Sequence, residues 1–199
     1  MKIAIIGTGY VGLITGVSLA AAGNDVTCFD KNKRIVKKLN NFEPHIFEKG
    51  LKKKLKSLSK KNNFTSKILD NLLIDYDIII IAVGTPSRDN GKIDLSYIKE
   101  ASSFIGKSIK ISNHYTSIIV KSTVLPGTTD TVVRNIIEKE SGKKLGDFGL
   151  GMNPEFLREG NAVEDFSNPD RIVFGYEDDK TLLYLEQLYK SWNCDKIKV

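Results

Sequence analysis

Short apolar runs alternate with amphipathic segments along the chain. Ile78–Val83 is continuously apolar and rich in β-branched residues, which is typical of a central parallel strand covered on both faces. In 33–41, by contrast, Ile35, Val36 and Leu39 share one face at helical spacing. The pattern predicts strands at Lys2–Ile6, Asp25–Asp30, Phe64–Ile68, Ile78–Val83, Ser117–Lys121, Leu150–Met152, Arg171–Gly175 and Lys196–Val199. It predicts helices at Val11–Ala22, Lys33–Asn41, Leu51–Lys61, Leu95–Ile109, Asp130–Ser141 and Lys180–Trp192.

This order of elements predicts an α/β fold of the Rossmann type, a doubly wound, mostly parallel sheet with helices on both faces. A chain of 199 residues has the size of one domain and is long enough to bury a core. Hydrophobic residues make up 41% of it and charged residues 27%, a balance that excludes disordered and collagen-like chains.

Part of the net charge of +6 lies in the lysine-rich segment Leu51–Lys61. One interpretation is a patch for nucleic acid or an acidic membrane. The other, which we favour, is the solvated face of a helix whose buried side carries Leu51, Leu55 and Leu58. Because no aromatic residues interleave with these lysines to stack on bases, we expect neither nucleic acid nor membrane as a partner.

The two cysteines, Cys28 and Cys194, lie far apart and belong to no Cys/His cluster. Their spacing predicts neither a metal site nor a disulfide framework. Cys28 falls in a predicted strand, where we expect an inert core thiol. This cysteine usage indicates a reducing, cytoplasmic location.

The uncharged run 3–24 resembles a signal peptide, since it follows Lys2 and has small residues at 20–22. Five glycines and three polar side chains interrupt it, however. We therefore interpret the run as part of the folded domain. No other apolar run reaches the ~20 residues of a membrane span.

Residues 7–12 read Gly-Thr-Gly-Tyr-Val-Gly and fit the pattern GxGxxG. They follow an apolar strand and open a predicted helix, and Asp30 ends the next strand. In this context Gly7 permits a tight turn, Gly9 lets the backbone approach a pyrophosphate and Gly12 lets the helix pack on the strand. The signature predicts a dinucleotide site at the helix N-terminus.

Asp30 is expected to accept hydrogen bonds from the adenosine ribose. Because a carboxylate repels a 2′-phosphate, NAD is favoured over NADP, a preference that Lys31, Lys33 and Arg34 weaken without reversing. The alternative is a glycine-rich turn without a ligand and an aspartate that merely caps a loop.

Three further loops follow predicted strand ends, at 84–86, 122–129 and 153–160. Thr123 has a hydroxyl suited to a cofactor or a reacting water. Glu155 and Glu159 are four residues apart and would share a face on a helical turn, as paired acids for proton transfer.

A purely structural interpretation of these loops stays open at this point. In it, Thr128 or Thr129 caps the following helix, and Glu155 and Glu159 are surface acids around Arg158.

Five segments of the chain carry a family resemblance: MKIAIIGTGYVG, VGTPSRDNGKIDLSYI, KSTVLPGTT, MNPEFLREGNAVEDF and NPDRIVFG. Together they resemble, in register to about Gly175, the N-terminal domain of the UDP-glucose/GDP-mannose dehydrogenase family. The resemblance implies oxidation of a sugar C6 alcohol to a carboxylate with two NAD, through an aldehyde and a cysteine-bound thioester.

The resemblance also implies roles for individual residues. Thr123 would orient the catalytic water and Glu155 would assist thioester hydrolysis. Cofactor contacts would come from Gly7, Gly9, Tyr10, Val11, Gly12, Asp30, Arg34, Thr85, Thr123 and Glu159. Substrate contacts would come from Glu155, Phe156, Leu157, Arg158 and Glu159.

The sequence departs from the family pattern at two places. Ile35 stands where the family often has Lys or Arg, and Glu48-Lys49-Gly50-Leu51 replaces an EPGL-like loop. The family's nucleophilic cysteine, its active-site lysine, its central dimerisation helix and its nucleotide-sugar domain correspond to positions after Val199, and Cys194 is not in the matching context. We therefore expect residues 1–199 to be the NAD-binding domain, inactive by itself, of an enzyme that forms a homodimer or a larger assembly.

The sequence favours UDP-glucose as the sugar substrate, through 169–175 and 160–162, although STVLPGTT and 141–144 are closer to the GDP-mannose branch. The alternatives are GDP-mannose, a different UDP-sugar and a catalytically inactive NAD-binding module. A dehydrogenase acting on hydroxy acids would have the same sequence pattern over the first 30 residues. That interpretation does not explain the loops with Thr123, Glu155 and Glu159.

Overall fold

The computed structural model describes residues 1–70 and 73–199 of the chain. Its strands are β1 (Lys2–Ile6), β2 (Asp25–Asp30), β3 (Phe64–Ile68), β4 (Ile78–Ile81), β5 (Ser117–Val120), β6 (Gly149–Met152), β7 (Arg171–Tyr176) and β8 (Asp195–Lys198). Its helices are α1 (Tyr10–Ala21), α2 (Lys33–Asn40), α3 (Leu51–Leu58), α4 (Ser96–Lys110), α5 (Arg134–Ser141), α6 (Ala162–Ser167) and α7 (Asp179–Leu188). A π-helical turn, Thr129–Val133, leads into α5.

The strands form one sheet in the order β3-β2-β1-β4-β5-β6-β7-β8. Pairing is parallel from β3 to β6, and only the β6–β7 pair among the described strands is antiparallel. The chain moves outward in one direction from β1 to β3 and in the other from β4 to β6, so strand order reverses between β1 and β4. The predicted α/β, doubly wound fold is confirmed.

The sheet separates two hydrophobic cores, because successive strand side chains point to opposite faces. Ile3 and Ile5 pack with α1 and α3 on one face, while Ala4 and Ile6 belong to the core shared with α4 and α5 on the other. β1 is thus covered on both sides, and so is β4, as its continuously apolar run predicts. The predicted burial of Cys28 is also confirmed, since its side chain is inaccessible to solvent.

The lysine-rich segment forms a helix as expected, with Leu51, Leu55 and Leu58 fully buried. Lys54 departs from the picture of a solvated face, because its Nζ donates to Ser18 Oγ at 3.3 Å and Ser167 Oγ at 2.9 Å. Burial lowers the pKa of this lysine. Its side chain therefore joins α3 to α1 and α6.

Several predicted boundaries were wrong. The last long helix begins at Asp179 and ends at Leu188, short of the predicted Trp192. Thr128 stands at the N-cap of the π-helical turn without a side-chain capping bond, so the alternative interpretation in which Thr128 caps this helix is wrong. The helix α6 was not predicted. Within the described residues no helix is long and apolar enough to cross a membrane.

Candidate functional site

The loops singled out by the sequence leave the carboxyl ends of β1, β4, β5 and β6, which are neighbours in the sheet. Parallel strands present these ends at one edge, so the four loops lie side by side. The turn after β1 lies where the strand order reverses, which is the position where open α/β sheets bind ligands.

The glycine turn after β1 has little room for side chains at two of its positions. Gly7 has a φ of +92°, and a Cβ there would lie 2.8 Å from the Ala82 carbonyl oxygen. A Cβ on Gly12 would lie 1.9 Å from the carbonyl oxygen of Gly7. At Gly9 a Cβ would meet nothing within 4 Å, so this backbone borders open space at the start of α1. A close backbone turn that faces an open space fits a pyrophosphate group.

Asp30 is fixed at the end of β2 by three hydrogen bonds. Its Oδ2 accepts from the Thr8 backbone N–H at 3.1 Å and from Thr8 Oγ1 at 2.5 Å, while Oδ1 accepts from the Asn32 N–H at 2.8 Å. The carboxylate is therefore tied to the glycine turn. It has lone pairs left to accept bonds from a ribose diol.

A cavity of about 340 Å³ opens next to this carboxylate. Its walls come from the glycine turn, from Asp30 and Lys31, and from the face of α4 that carries Tyr97, Glu100 and Phe104. Sequence reasoning predicted α4 only as a helix and missed its contribution to the cavity. Lys31 Nζ forms an ion pair with Glu100 beside the opening.

The other predicted cofactor residues do not line this cavity in the described part of the chain. Arg34 lies on α2, where its backbone N–H is capped by Asn32 Oδ1 at 3.0 Å, and its side chain is not part of the cavity lining in the described chain. Tyr10 and Val11 begin α1. Thr85 Oγ1 donates to the Thr123 carbonyl at 2.8 Å, which joins the loops after β4 and β5.

A second cavity, of about 310 Å³, lies beyond the ends of β5 and β6. Lys121, Asn153, Glu155 and Arg171 line it, together with Trp192. The substrate residues predicted at 155–158 thus lie in the wall of one cavity.

Lys121 lies in the wall of this cavity and was missed from the sequence. The side chain is only 4% exposed, and its Nζ donates to Asn153 Oδ1 at 2.9 Å. Burial lowers its pKa to about 8, while the nearby Glu155 carboxylate acts in the opposite direction. A lysine directly after four buried strand residues was the available signal in the sequence.

Glu155 and Glu159 do not form the predicted acid pair on a helical turn. Residues 153–158 have no regular secondary structure, and a turn begins only at Glu159. Glu155 lines the same cavity as Lys121, whereas Glu159 is exposed and its charge raises the pKa of the Tyr10 phenol. Although Glu155 and Glu159 are four residues apart in the sequence, they therefore lie at two separate places in the structure.

Arg158 is not surrounded by these glutamates either. Its guanidinium donates to Asp165 Oδ1 at 2.6 Å and Oδ2 at 3.2 Å, and this bond holds the pKa of that carboxyl well below its usual range. Phe156 is half exposed, with the Arg171 guanidinium 4.9 Å from its ring centre.

A glycine turn, a strand-end carboxylate and an adjoining cavity at the switch point of a doubly wound sheet define a dinucleotide-binding domain of the Rossmann class. The sequence profile described as "UDP-glucose/GDP-mannose dehydrogenase family, NAD binding domain" matches residues 1–193. The chain belongs to this family, and its cofactor is NAD.

Individual relatives agree with this assignment. The chain is 38% identical to GDP-mannose 6-dehydrogenase of Pseudomonas aeruginosa, over 100% of this chain and 46% of that protein. It is 40% identical to UDP-glucose 6-dehydrogenase TuaD of Bacillus subtilis, over 99% of this chain and 42% of that protein. The chain thus spans less than half the length of these relatives.

Solved structures show the same similarity. A ternary complex of GDP-mannose dehydrogenase from Pseudomonas aeruginosa superposes with a TM-score of 0.94 at 37% identity, covering 100% of this chain and 46% of that one. A UDP-glucose dehydrogenase from Pyrobaculum islandicum gives a TM-score of 0.92 at 35% identity, with the same coverage.

Proposed function

We propose that the chain is the NAD-binding part of a nucleotide-sugar 6-dehydrogenase that oxidises the C6 alcohol of UDP-glucose to UDP-glucuronate. The observation that carries the proposal is that two cavities, one beside Asp30 and one lined by Glu155, lie at the carboxyl ends of strands that are neighbours in one sheet. NAD, when bound, supplies the hydride acceptor. The free thiols Cys28 and Cys194 support a reducing, cytoplasmic setting.

In this proposal the glycine turn binds the pyrophosphate through backbone N–H groups and the N-terminal end of α1. Asp30 accepts hydrogen bonds from the ribose and disfavours a 2′-phosphate. Thr85 would support the loop that carries Thr123 through its bond to the Thr123 carbonyl.

The proposed catalytic residues are Thr123 and Glu155, which follow β5 and β6 at matching depth. Val120 and Met152 are paired in the sheet, and each candidate lies three residues beyond its strand end. Thr123 would orient a water, and Glu155, which lines the same cavity as the buried Lys121, would accept a proton from that water. A nucleophilic cysteine, the sugar-nucleotide domain and the dimer interface are proposed to belong to the remaining length of such an enzyme.

GDP-mannose is the second candidate substrate. It is favoured by the 0.94 TM-score and 37% identity to the GDP-mannose dehydrogenase structure. UDP-glucose is favoured by the 40% identity to the UDP-glucose enzyme of Bacillus subtilis and by the PDRIVFG segment.

The cofactor role is tested by calorimetric titration of the purified chain with NADH. We expect 1:1 binding that Asp30→Ala weakens by about tenfold or more, because hydrogen bonds to a charged group are worth ~1.5–3 kcal/mol. Asp25→Ala, at the opposite end of β2, is the matched control and should bind as the wild type does. A folded wild-type chain that fails to bind NADH would refute this role.

The substrate assignment is tested by incubating the chain and NAD with UDP-glucose or GDP-mannose and following absorbance of NADH. The proposal expects the sugar nucleotide to bind without being oxidised, since the nucleophile is assigned to another part of the enzyme. Saturation-transfer NMR then compares the two sugar nucleotides. Preferential binding of GDP-mannose would replace UDP-glucose in the proposal.

A further inference from the structure

Glu48 is a buried carboxylate outside the two cavities. It is 5% exposed and lies in the loop that precedes α3. Its Oε2 accepts the Gly160 N–H at 3.0 Å and also the Tyr10 hydroxyl, while its Oε1 accepts the Ala162 N–H at 3.2 Å. One side chain therefore contacts the start of α1 and the turn that leads into α6.

The protonation states in this cluster follow from its hydrogen bonds. Burial opposes ionisation of Glu48, but the bonds from Tyr10, Gly160 and Ala162 outweigh it and lower the pKa of the carboxyl. Burial and the bond to Glu48 raise the pKa of Tyr10 to about 12. The proton thus stays on the phenol, and Tyr10 donates to a carboxylate, which makes a strong hydrogen bond.

Tyr10 connects this carboxylate to the glycine turn. It is the first residue of α1 and directly follows Gly9, the residue that borders open space. Its hydroxyl also lies 3.4 Å from the Arg158 carbonyl oxygen. Tyr10 therefore links the glycine turn to Glu48 and to the Arg158 carbonyl.

We propose that Glu48 is a positioning residue that couples the cofactor turn to the loop 153–162 through Tyr10. The inference rests on the proposed function, in which this loop contacts the sugar. Binding at the glycine turn fixes Tyr10, and Glu48 then holds the Gly160 and Ala162 amides, so that the loop carrying Glu155 is ordered when cofactor is present.

The test measures amide hydrogen exchange at Gly160 and Ala162 by NMR, with and without NADH, together with the NADH dissociation constant. Glu48→Gln is expected to accelerate exchange about tenfold at the amide that loses its acceptor oxygen, and to weaken NADH binding severalfold. Glu43→Gln, an exposed glutamate in the same loop, is the matched control and should change neither quantity.

Tyr10→Phe separates coupling from simple packing. This variant keeps the two backbone bonds of Glu48, so exchange without NADH should stay close to the wild-type rate. In the wild type, NADH should slow exchange at Gly160 and Ala162 severalfold, and in Tyr10→Phe this slowing should disappear.

Either of two results with the variants would overturn the proposal. One is unchanged exchange at Gly160 and Ala162 in Glu48→Gln. The other is a Tyr10→Phe variant in which NADH slows exchange as in the wild type. Absence of NADH binding by the wild type would refute the proposed function, whereas NADH binding with unaffected loop amides would refute the coupling alone.

Discussion

At the scale of single residues, the glycines of the turn after β1 have different physical reasons for lacking a side chain. Gly12 faces the Gly7 carbonyl so closely that a Cβ would overlap it, whereas Gly9 faces open space. Glycine is required at position 12 by the fold itself. At position 9 it is required by the ligand that approaches the turn. The motif alone does not distinguish them, since both positions are simply Gly.

This difference gives the first prediction. Gly12→Ala should lower the free energy of unfolding by about 1–3 kcal/mol or more, as overpacking does. Gly9→Ala should cost less than about 1 kcal/mol, because its φ of −63° suits alanine, and yet weaken NADH binding. Urea unfolding and NADH titration of both variants check this. Equal stability of the two variants would contradict it.

The glycine turn and Asp30 were predictable because their requirements are local: a tight turn, a helix N-terminus and a strand end eighteen residues later. Lys121 and Glu48 were not. Their significance comes from Asn153, and from Gly160 and Ala162, which are far away in the sequence. The identity of one charged residue does not indicate which distant residues it will contact in the fold.

At the scale of elements, α7 has a clear N-terminal signal. The Asp178 side chain accepts the Thr181 N–H at 2.9 Å, the Thr181 hydroxyl at 2.8 Å and the Tyr115 hydroxyl at 2.5 Å. The cap therefore also fastens the helix to the residues before β5. The predicted start at Lys180 was close because such caps precede their helices directly.

The second prediction follows from this cap. Asp178→Ala should destabilise the protein by about 1–2 kcal/mol, since it removes an N-cap and leaves the Tyr115 hydroxyl without this acceptor. Asp179→Ala, one residue further on, is the control and should cost little. The free energies of unfolding in urea decide between them, and similar losses for both variants would argue against the capping role.

The strands and long helices were largely predictable because their apolar periodicity reflects which face is buried. The segment 153–161 was not, because its conformation depends on bonds to Glu48 and Asp165 and not on its own pattern. Two glutamates at a spacing of four thus suggested a helical turn that the tertiary contacts do not permit. The same contacts fix the start of the unpredicted α6.

At the scale of the whole molecule, a buried lysine makes stability depend on pH. The pKa of Lys121 is lowered to about 8 by burial. Between this value and the ordinary lysine pKa, the unfolded chain binds a proton that the native chain does not. The contribution of Lys121 to the free energy of unfolding therefore rises as pH increases through this window.

The third prediction compares wild type with Lys121→Met. The wild type should gain about 2 kcal/mol relative to this variant between about pH 8 and about pH 10, by the linkage relation. The comparison removes the opposing effect of the Cys28 thiol, whose pKa burial raises to about 12. Urea unfolding at several pH values measures the difference.

Lys190→Met is the control for this experiment, because it removes the charge of an exposed lysine. Its stability should follow that of the wild type at each pH. If the free energy of unfolding varied with pH in the same way for the wild type and for Lys121→Met, the native protein would keep the Lys121 ammonium charged throughout the range.

The packing around Trp192 has an optical consequence. This indole is the chain's one tryptophan, is 8% exposed, lines the cavity of Glu155 and Lys121, and donates to the Phe166 carbonyl at 2.7 Å. All indole emission therefore originates beside that cavity. The emission therefore reports, without any added label, on the occupancy of that cavity and on the position of α6. The quantities to measure are the emission wavelength, quenching by iodide and energy transfer to a reduced nicotinamide.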